Sequence, residues 1–271
     1  MRYYGAKTKL LPFIEGVVKI TGVNGTSNFV DLFSGTSVVG RHFKKLGFTV
    51  IANDTLEFSY AIAKTYIELN KEPQFKRLSS HLKFKNGVKG LFDYLNNLKT
   101  QKAGFMYENY SPTGGRKYFT DQNALRIDTF RYLFEEWKDE KRISVSEYYY
   151  LITSLLRGVN LVSNVSGTYA AYLKTWDKRA LNSLRLEPVD IIPSENKNKA
   201  FKQDANELVK EIQPDILYLD PPYNGRQYAS NYFILELIAE GWFKNMPEIY
   251  GETGMRKYDH QKSKYCSKVS A

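Results

Sequence analysis

The 271-residue sequence predicts an α/β fold, in which a parallel sheet carries an inserted and mainly helical domain. Residues 28–54 have the pattern of a strand, a tight glycine turn, a helix and a second strand, the repeating unit of parallel sheets. Residues 215–219 have the pattern of a short buried strand, which stops at Pro221 and Pro222 because proline cannot donate to a strand ladder. Residues 71–198, between these stretches, differ in texture from their flanks and contain helical patterns at 91–98, 130–141 and 145–156, so they are interpreted as the insertion.

The amino-acid composition restricts the kind of binding partner and the cellular compartment that we expect. Lys and Arg number 39 against 29 Asp and Glu, and the resulting charge of +10 favours a polyanion such as a nucleic acid. Cys266 is the single cysteine, so a disulfide framework is excluded and a reducing compartment is indicated. The sequence shows no signal-peptide pattern and no apolar run of membrane length, so we expect a cytoplasmic protein that uses no membrane. Three scattered histidines predict no metal site.

The first strand-turn-helix unit has the features of a nucleotide site. Gly35 permits close approach of the backbone to a ligand, and Ser34, Thr36 and Ser37 can cap a helix whose N-terminus points at that ligand. Asp54 ends the second strand nineteen positions after Gly35, the spacing at which an acid reaches ribose hydroxyls in doubly wound folds. The absence of a Gly-x-Gly-x-x-Gly fingerprint disfavours NAD.

The N-terminal segment adds candidate ligand contacts. Gly5 allows a tight turn, Tyr3 or Tyr4 can cover an adenine ring, and Lys7 can meet a carboxylate. A frayed basic N-terminus explains the same residues.

The tetrad Asp220-Pro-Pro-Tyr223 is the strongest candidate for chemistry. It offers a carboxylate on Asp220, a fixed backbone carbonyl on Pro221 and an aromatic face on Tyr223. A planar amino group needs these three features if it is to be held and stacked while it attacks an electrophile. The alternative is a strand that ends in a Pro-Pro turn with a packed tyrosine.

Together, Tyr3-x-Gly-x-Lys7, Asp31-Leu-Phe-Ser-Gly-Thr36, a long insertion and Asp220-Pro-Pro-Tyr223 resemble the motif order of the DNA adenine methylase family. The resemblance implies an S-adenosylmethionine-dependent methyltransferase (Rossmann-like) sheet with an inserted DNA-recognition domain. It also implies site-specific transfer of methyl from S-adenosylmethionine to N6 of adenine in double-stranded DNA, within a restriction-modification system. The implied catalytic residues are Asp220, Pro221 and Tyr223, and the implied cofactor residues are Tyr3, Tyr4, Gly5, Lys7, Asp31, Phe33, Gly35, Asp54, Asp204 and Asp220. For Asp204, a role as helix N-cap fits equally well.

Two stretches of the insertion are candidate DNA contacts. The basic, glycine-bearing loop 109–120 places Arg116 and Lys117 where they can neutralise phosphates, although a mobile surface loop explains it as well. Residues 160–179 predict a hairpin that turns at Ser166–Gly167 and resembles the hairpin the family lays on its target. A packed aromatic strand pair is the alternative. The implied contacts there are Asn164, Gly167, Tyr169, Lys174, Lys178 and Arg179.

The predicted domains are a cofactor half over 1–70, a target-recognition domain over 71–198 and a catalytic half over 199–271. Helices are expected within 91–98, 130–141, 145–156 (capped by Ser144) and 230–243, a loop over 250–265, and strands near 28–33, 48–52, 199–203 and 215–219. Members of the family continue with further strands, whereas the forty-eight residues after Tyr223 show no convincing strand, so the fourth strand would be an open apolar edge. We therefore expect a C-terminally truncated chain with little activity, or one half of a split enzyme whose second chain or copy completes the sheet.

Two rival functions remain open from the sequence. One is a truncated or split methyltransferase that acts only as a DNA-binding remnant without catalysis. The other is an RNA or protein-glutamine amino-methyltransferase. The N-terminal motif, the large insertion and an aspartate rather than an asparagine at position 220 argue against the second rival.

Overall fold

The computed structural model describes residues 5–25, 27–99, 103–222, 225 and 227–266. The chain divides into two compact units. The sheet unit comprises residues 3–72, 190–225 and 263–271, and the helical unit comprises residues 1–2, 73–189 and 226–262. Residues 226–262 therefore group with the helical unit, while the assignment of 71–198 to target recognition stays a prediction.

The described residues form strands and helices whose bounds are as follows, each series numbered in chain order. The strands are β1 (Asn28–Asp31), β2 (Thr49–Asn53), β3 (Lys199–Phe201), β4 (Ile216–Tyr218), β5 (Ile249–Tyr250) and β6 (Met255–Arg256). The helices are α1 (Leu11–Ile20), α2 (Val38–Lys45), α3 (Glu57–Ala63), α4 (Lys76–Leu82), α5 (Gly87–Asn97), α6 (Phe105–Tyr110), α7 (Asp121–Asp139), α8 (Val145–Val162), α9 (Ala205–Glu211), α10 (Tyr228–Asn231) and α11 (Phe233–Glu240). A π-helical turn, Lys64–Glu68, extends α3. No helix in these ranges is long and apolar enough to cross a membrane.

The central sheet of the sheet unit is parallel and has the order β3-β2-β1-β4. Val30 of β1 lies opposite Ile51 of β2 on one side and opposite Leu217 of β4 on the other. All four strands predicted from the sequence are confirmed. The order of the strands reverses beside β1, and the crevice outside the carboxyl ends of the strands at such a switch point is where open α/β sheets bind ligands.

Alternating residues of β1 face two separate hydrophobic clusters. Phe29 is fully buried and stacks on Phe43 of α2 at 3.9 Å between ring centroids. Val30, also fully buried, belongs to the opposite cluster with Leu208 of α9. A parallel strand that is covered on both faces is expected to be apolar throughout, which is the pattern of Phe29-Val30.

Among the described strands, β4 lies at the edge of the sheet. Leu217 is 37% exposed and Leu219 is 56% exposed, so this edge carries apolar side chains that reach solvent. The order thus matches the expected open edge, and a second chain or copy that completes the sheet stays a prediction.

Helix α8 begins where the sequence indicates. The Ser144 hydroxyl accepts a hydrogen bond from the Glu147 backbone N–H at 3.2 Å, and the Glu147 carboxylate accepts one from the Ser144 N–H at 2.8 Å. This reciprocal pair is a capping box and confirms Ser144 as the cap. The other periodic stretches of the insertion fall within or largely within α5 and α7.

The predicted hairpin over 160–179 is wrong. Helix α8 continues to Val162, and residues 163–177 contain no strand. The fully buried Asn164 holds this segment instead: its amide donates to the carbonyls of Lys117 and Leu173, both at 3.0 Å, and its oxygen accepts from the Asp177 N–H at 2.9 Å. The side chain thus adds to two backbone hydrogen bonds of the same residue, which run from its N–H to the Tyr118 carbonyl at 2.8 Å and from the Leu173 N–H to its carbonyl at 2.9 Å.

Side-chain amides also hold the backbone of residues 182–186. Asn123 of α7 donates to the carbonyl of Asn182 at 2.9 Å and accepts from the Leu184 N–H at 2.8 Å. Asn96 of α5 exchanges two hydrogen bonds of 2.8 Å with the backbone of Leu186. Side-chain amides of α5 and α7 thus hold a long irregular segment that forms no strand.

The stretch 230–243 and the loop over 250–265 differ in detail from the prediction. The helix is divided into α10 and α11, and α11 ends at Glu240 before Gly241, whose φ of 80° suits glycine. Strands β5 and β6 pair antiparallel across the start of the predicted loop, because β5 begins at Ile249. Arg116 fixes their connection by donating to the carbonyls of Gly251 and Glu252 at 3.1 and 2.9 Å.

Replacing Ser144 with alanine should lower the free energy of unfolding by about 1 kcal/mol, because the first turn of α8 loses its side-chain acceptor. The measurement is chemical denaturation of wild type and variant. The matched control is Ser146→Ala, two residues inside the helix, which should be neutral or slightly stabilising. Equal effects of the two substitutions would contradict the capping role.

Candidate active site

The carboxyl ends of β1, β2 and β4 gather acidic side chains at one edge of the sheet. Asp31 ends β1, Asp54 follows β2, and Asp220 comes two residues after β4. The ammonium of Lys7 lies 2.5 Å from the Asp220 carboxylate, so the N-terminal motif and the tetrad meet here. Lys7 also donates to the carbonyl of Gly5 at 3.2 Å, and Gly5 has a φ of 87° that suits glycine.

Asp54 ties the end of β2 to the glycine loop. One carboxylate oxygen accepts from the Gly35 N–H at 2.8 Å, and the other accepts from the Leu56 N–H at 3.0 Å. Burial raises the pKa of Asp54, while these backbone donors act against that rise. The contact of Asp54 with the ribose hydroxyls of a cofactor stays a prediction.

Asp31 is only 2% exposed and serves the first turn of α2. Its carboxylate accepts from the Gly40 N–H at 3.2 Å. Burial raises the pKa of Asp31 to about 7, and the negative charges of Asp54 and Asp220 raise it further, against the Gly40 hydrogen bond and the Lys7 charge. Ser37 occupies the N-cap position of α2 but its side chain makes no capping hydrogen bond, and Asp31 accepts the bond for which the sequence suggested Ser34, Thr36 or Ser37.

The serines are consequently left with unused hydroxyls. Ser34 and Ser37 are buried, and neither hydroxyl has a hydrogen-bond partner among the residues described. Ser37 also has a left-handed φ of 55°, which costs a non-glycine residue on the order of 1 kcal/mol. Buried unsatisfied groups and backbone strain cluster at ligand sites, so this loop suits a polar ligand.

Asn53 holds the ends of three strands together and was missed from the sequence. Its amide donates to the carbonyls of Leu32 and Gln203, both at 3.2 Å, and its oxygen accepts from the Gln203 N–H at 3.1 Å. A polar residue that directly precedes Asp54 at the end of a buried strand was the available signal.

Asp204 is the N-cap of α9, which is one of the two roles that the sequence suggested for it. Its carboxylate accepts from the Asn206 backbone N–H at 2.8 Å and from the Asn206 side-chain amide at 3.1 Å. The contact to a cofactor adenine stays a prediction. Phe33, another predicted cofactor residue, contacts Tyr265 edge-on with ring centroids 5.2 Å apart.

Three predicted site residues, Tyr3, Tyr4 and Tyr223, lie outside the described residues. Pro221 is described and follows Asp220 without secondary structure. In the part of the chain that is described, no group of three or more His, Cys, Asp and Glu side chains is arranged to hold a metal ion.

The predicted DNA contacts fall into buried and exposed sets. Asn164 and Tyr169 are fully buried, and the Tyr169 hydroxyl lies 2.8 Å from the Ser163 hydroxyl, so neither side chain reaches solvent in this conformation. Burial raises the pKa of Tyr169. The guanidinium of Arg116 donates to three backbone carbonyls, including that of Asn109 at 3.0 Å.

The second set is accessible. Lys117, Lys174 and Lys178 are exposed, and Lys117 donates to the carbonyl of Lys174 at 3.3 Å. Arg179 is partly exposed and pairs with Asp177 at 2.6 Å, while a side chain at Gly167 would enter open space among the described residues. Burial and intramolecular pairing therefore leave the three lysines as the best placed of the predicted phosphate contacts.

The parallel sheet, with its order β3-β2-β1-β4 and its acidic carboxyl edge, has the fold of the S-adenosylmethionine-dependent methyltransferases. The chain belongs to the D12 class N6 adenine-specific DNA methyltransferase family, whose model matches residues 3–271. No solved structure gives a significant match.

Named relatives agree with the family. The chain is 46% identical over 272 residues to the Type II methyltransferase M.FokI of Planomicrobium okeanokoites, covering 99% of this chain and 41% of that protein. It is 42% identical to the modification methylase StsI of Streptococcus sanguinis, covering 100% and 40%. It is 39% identical to the Type II methyltransferase M.NlaIII of Neisseria lactamica, covering 99% and 76%. The chain thus spans about two fifths of the first two relatives.

The raised pKa of Asp31 predicts a pH dependence of stability. Its folded-state pKa of about 7 lies above its ordinary value of 3.8, so the folded chain holds a proton that the unfolded chain releases. The contribution of Asp31 to stability is therefore full below about pH 4 and is lost as the pH rises toward 7. Relative to wild type, Asp31→Asn should gain stability across this window, on the order of 4 kcal/mol at most.

Urea denaturation at several pH values between 4.5 and 8 measures this difference. Asparagine keeps an oxygen that can accept from Gly40, so the comparison isolates the charge. Asp139→Asn, at the exposed end of α7, is the matched substitution. A constant difference between Asp31→Asn and wild type across the window would disprove the role of the buried carboxyl group.

Proposed function

We propose that the protein transfers a methyl group from S-adenosylmethionine to N6 of adenine at a specific site in double-stranded DNA, as the modification enzyme of a restriction-modification system. The observation that carries the proposal is the position of Asp220 beside the switch point, paired with Lys7 and close enough to Asp31 to influence its pKa. The match to the family over residues 3–271 supports it. A DNA-binding remnant without catalysis is not favoured, because the relatives are named as methyltransferases.

The residues at the carboxyl edge fit the cofactor. In the loop at Gly35, the buried hydroxyls of Ser34 and Ser37 have no hydrogen-bond partner within the described ranges, which suits the polar groups of S-adenosylmethionine. Asp54, which follows β2 and accepts from the Gly35 N–H, is proposed to accept from the ribose hydroxyls as well, and the Lys7 ammonium suits the carboxylate of the amino-acid part. When bound, the cofactor supplies the electrophilic methyl group.

Asp220 and Pro221 act on the target base. The adenine leaves the DNA stack at a cost of a few kcal/mol, and Tyr223 offers a ring on which it stacks. The Asp220 carboxylate and the Pro221 carbonyl accept hydrogen bonds from the N6 amino group. These acceptors draw the nitrogen lone pair out of conjugation with the ring and aim it at the methyl group, so they act by orientation and electrostatics. As the N–C bond forms, the S–C bond would break to leave S-adenosylhomocysteine, and the proton that N6 loses would pass to solvent. The Lys7 ammonium balances the charge of Asp220 and holds its carboxylate in place.

The DNA backbone is proposed to lie along Lys117, Lys174 and Lys178. These exposed ammonium groups carry charge that neutralises phosphates, and the release of counterions drives such binding. Asn164 contributes indirectly, because its hydrogen bonds to Lys117 and Leu173 hold two of the lysine-bearing segments together. Phosphate contacts carry no sequence information, so recognition of the target site requires additional contacts to base edges in the grooves.

Asp220→Asn should reduce kcat at least about 100-fold and leave the Kd for S-adenosylhomocysteine within about threefold, because the carboxylate acts on the target amino group. Asp54→Ala should instead raise that Kd about tenfold or more, because it removes the ribose acceptor and the hydrogen bond to Gly35. Methyl transfer to unmethylated duplex DNA, followed by nucleoside analysis, and calorimetry measure the two quantities. If both variants lost turnover and affinity for S-adenosylhomocysteine to the same extent, this division of roles would be contradicted.

Alanine at Lys117, Lys174 or Lys178 should weaken DNA binding and lower the slope of log K against log salt by about 0.9 for each phosphate that is no longer neutralised. Fluorescence anisotropy with a duplex at several salt concentrations gives the slope. Lys89→Ala, an exposed lysine on α5, is the matched control and should leave it unchanged. Slopes that remain at the wild-type value in all three variants would place the DNA elsewhere.

A further inference from the structure

Tyr265 lies at the carboxyl edge of the sheet although it is far from the other site residues in sequence. It sits on a short turn, Lys264–Cys266, which belongs to the sheet unit. Its ring meets Phe33 edge-on, with an interplanar angle of 85°. Phe33 comes two residues after β1, and both rings are partly exposed, so the pair keeps aromatic surface accessible at this edge.

A hydrogen-bond chain links Tyr265 to Asp204. The Tyr265 hydroxyl lies 2.8 Å from the Asn206 side-chain oxygen, to which it donates. The nitrogen of the same amide donates to the Asp204 carboxylate at 3.1 Å. Because an amide has one accepting side and one donating side, the tyrosine fixes which side of Asn206 faces Asp204.

We infer that Tyr265 is a further cofactor-binding residue, which forms a wall of the site for the adenine base and orients Asp204 toward the base's amino group. This inference rests on the proposed function. An adenine presents flat faces to aromatic rings and an amino donor at position 6 to a carboxylate. Ring and carboxylate are held together here by one side chain, which matches both features of the base.

The chemistry of the carboxylate gives a specific test. Hypoxanthine carries a carbonyl where adenine carries the amino group, and a carboxylate cannot donate to that oxygen. Calorimetry should therefore show that wild type binds S-adenosylhomocysteine at least about tenfold more tightly than S-inosylhomocysteine. Tyr265→Ala should raise the Kd for S-adenosylhomocysteine about tenfold, because the aromatic ring is removed.

Tyr265→Phe separates the ring from the hydroxyl. This variant keeps the aromatic wall and removes the hydrogen bond to Asn206. It should therefore raise the Kd for S-adenosylhomocysteine about threefold and lower the ratio of the Kd for S-inosylhomocysteine to that for S-adenosylhomocysteine. Tyr250→Ala removes an exposed tyrosine from β5 and should change neither quantity. Thermal denaturation checks folding, and if Tyr265→Ala unfolds, the ratio measured for Tyr265→Phe decides.

The outcomes separate this inference from the proposed function. Wild type that binds neither analogue would overturn the proposed function and the inference with it. Wild type that binds S-adenosylhomocysteine, with both Tyr265 variants folded and unchanged in affinity and preference, would overturn the role of Tyr265 alone. Weaker binding of S-adenosylhomocysteine together with a smaller preference for adenine over hypoxanthine in Tyr265→Phe would support the role of Tyr265.

Discussion

The concentration of negative charge at the carboxyl edge of the parallel sheet is the constraint on which the site depends. Asp54 and Asp220 lie close enough to Asp31 to oppose its ionisation. Burial makes this repulsion more costly than it would be in water. Backbone N–H groups stabilise Asp31 and Asp54, and the ammonium of Lys7 stabilises Asp220.

These compensations also shape the chain around the edge. The hydrogen bond from Gly35 to Asp54 closes the loop after β1, and the bond from Gly40 to Asp31 fixes the start of α2. The side chain of Ser37 makes no capping hydrogen bond, and the hydroxyls of Ser34 and Ser37 have no hydrogen-bond partner among the described residues. The contacts that stabilise the carboxylates therefore leave buried hydroxyls in this loop without partners in the described part of the chain.

Side-chain amides perform a second general task in this protein. Asn53 joins strand ends in the sheet unit, and Asn96, Asn123 and Asn164 fasten irregular backbone in the helical unit. An asparagine offers a donor and an acceptor in one plane, so it can replace a pair of backbone partners. This explains how the segment around 163–189 is ordered without strands, and why its exposed lysines have defined positions.

The sequence by itself determined the four strands, the helices at 130–141 and 145–156, the Ser144 cap and the motif order that identifies the family. These features depend on local periodicity, turn residues and short-range hydrogen bonds, which can be read along the chain. The tertiary structure alone decided that Asn164 is buried, that Asp31 caps α2, and that Tyr265 reaches Phe33 and Asn206. Their partners lie from a few to more than two hundred positions away, and no local pattern encodes which distant backbone group or ring a side chain will meet.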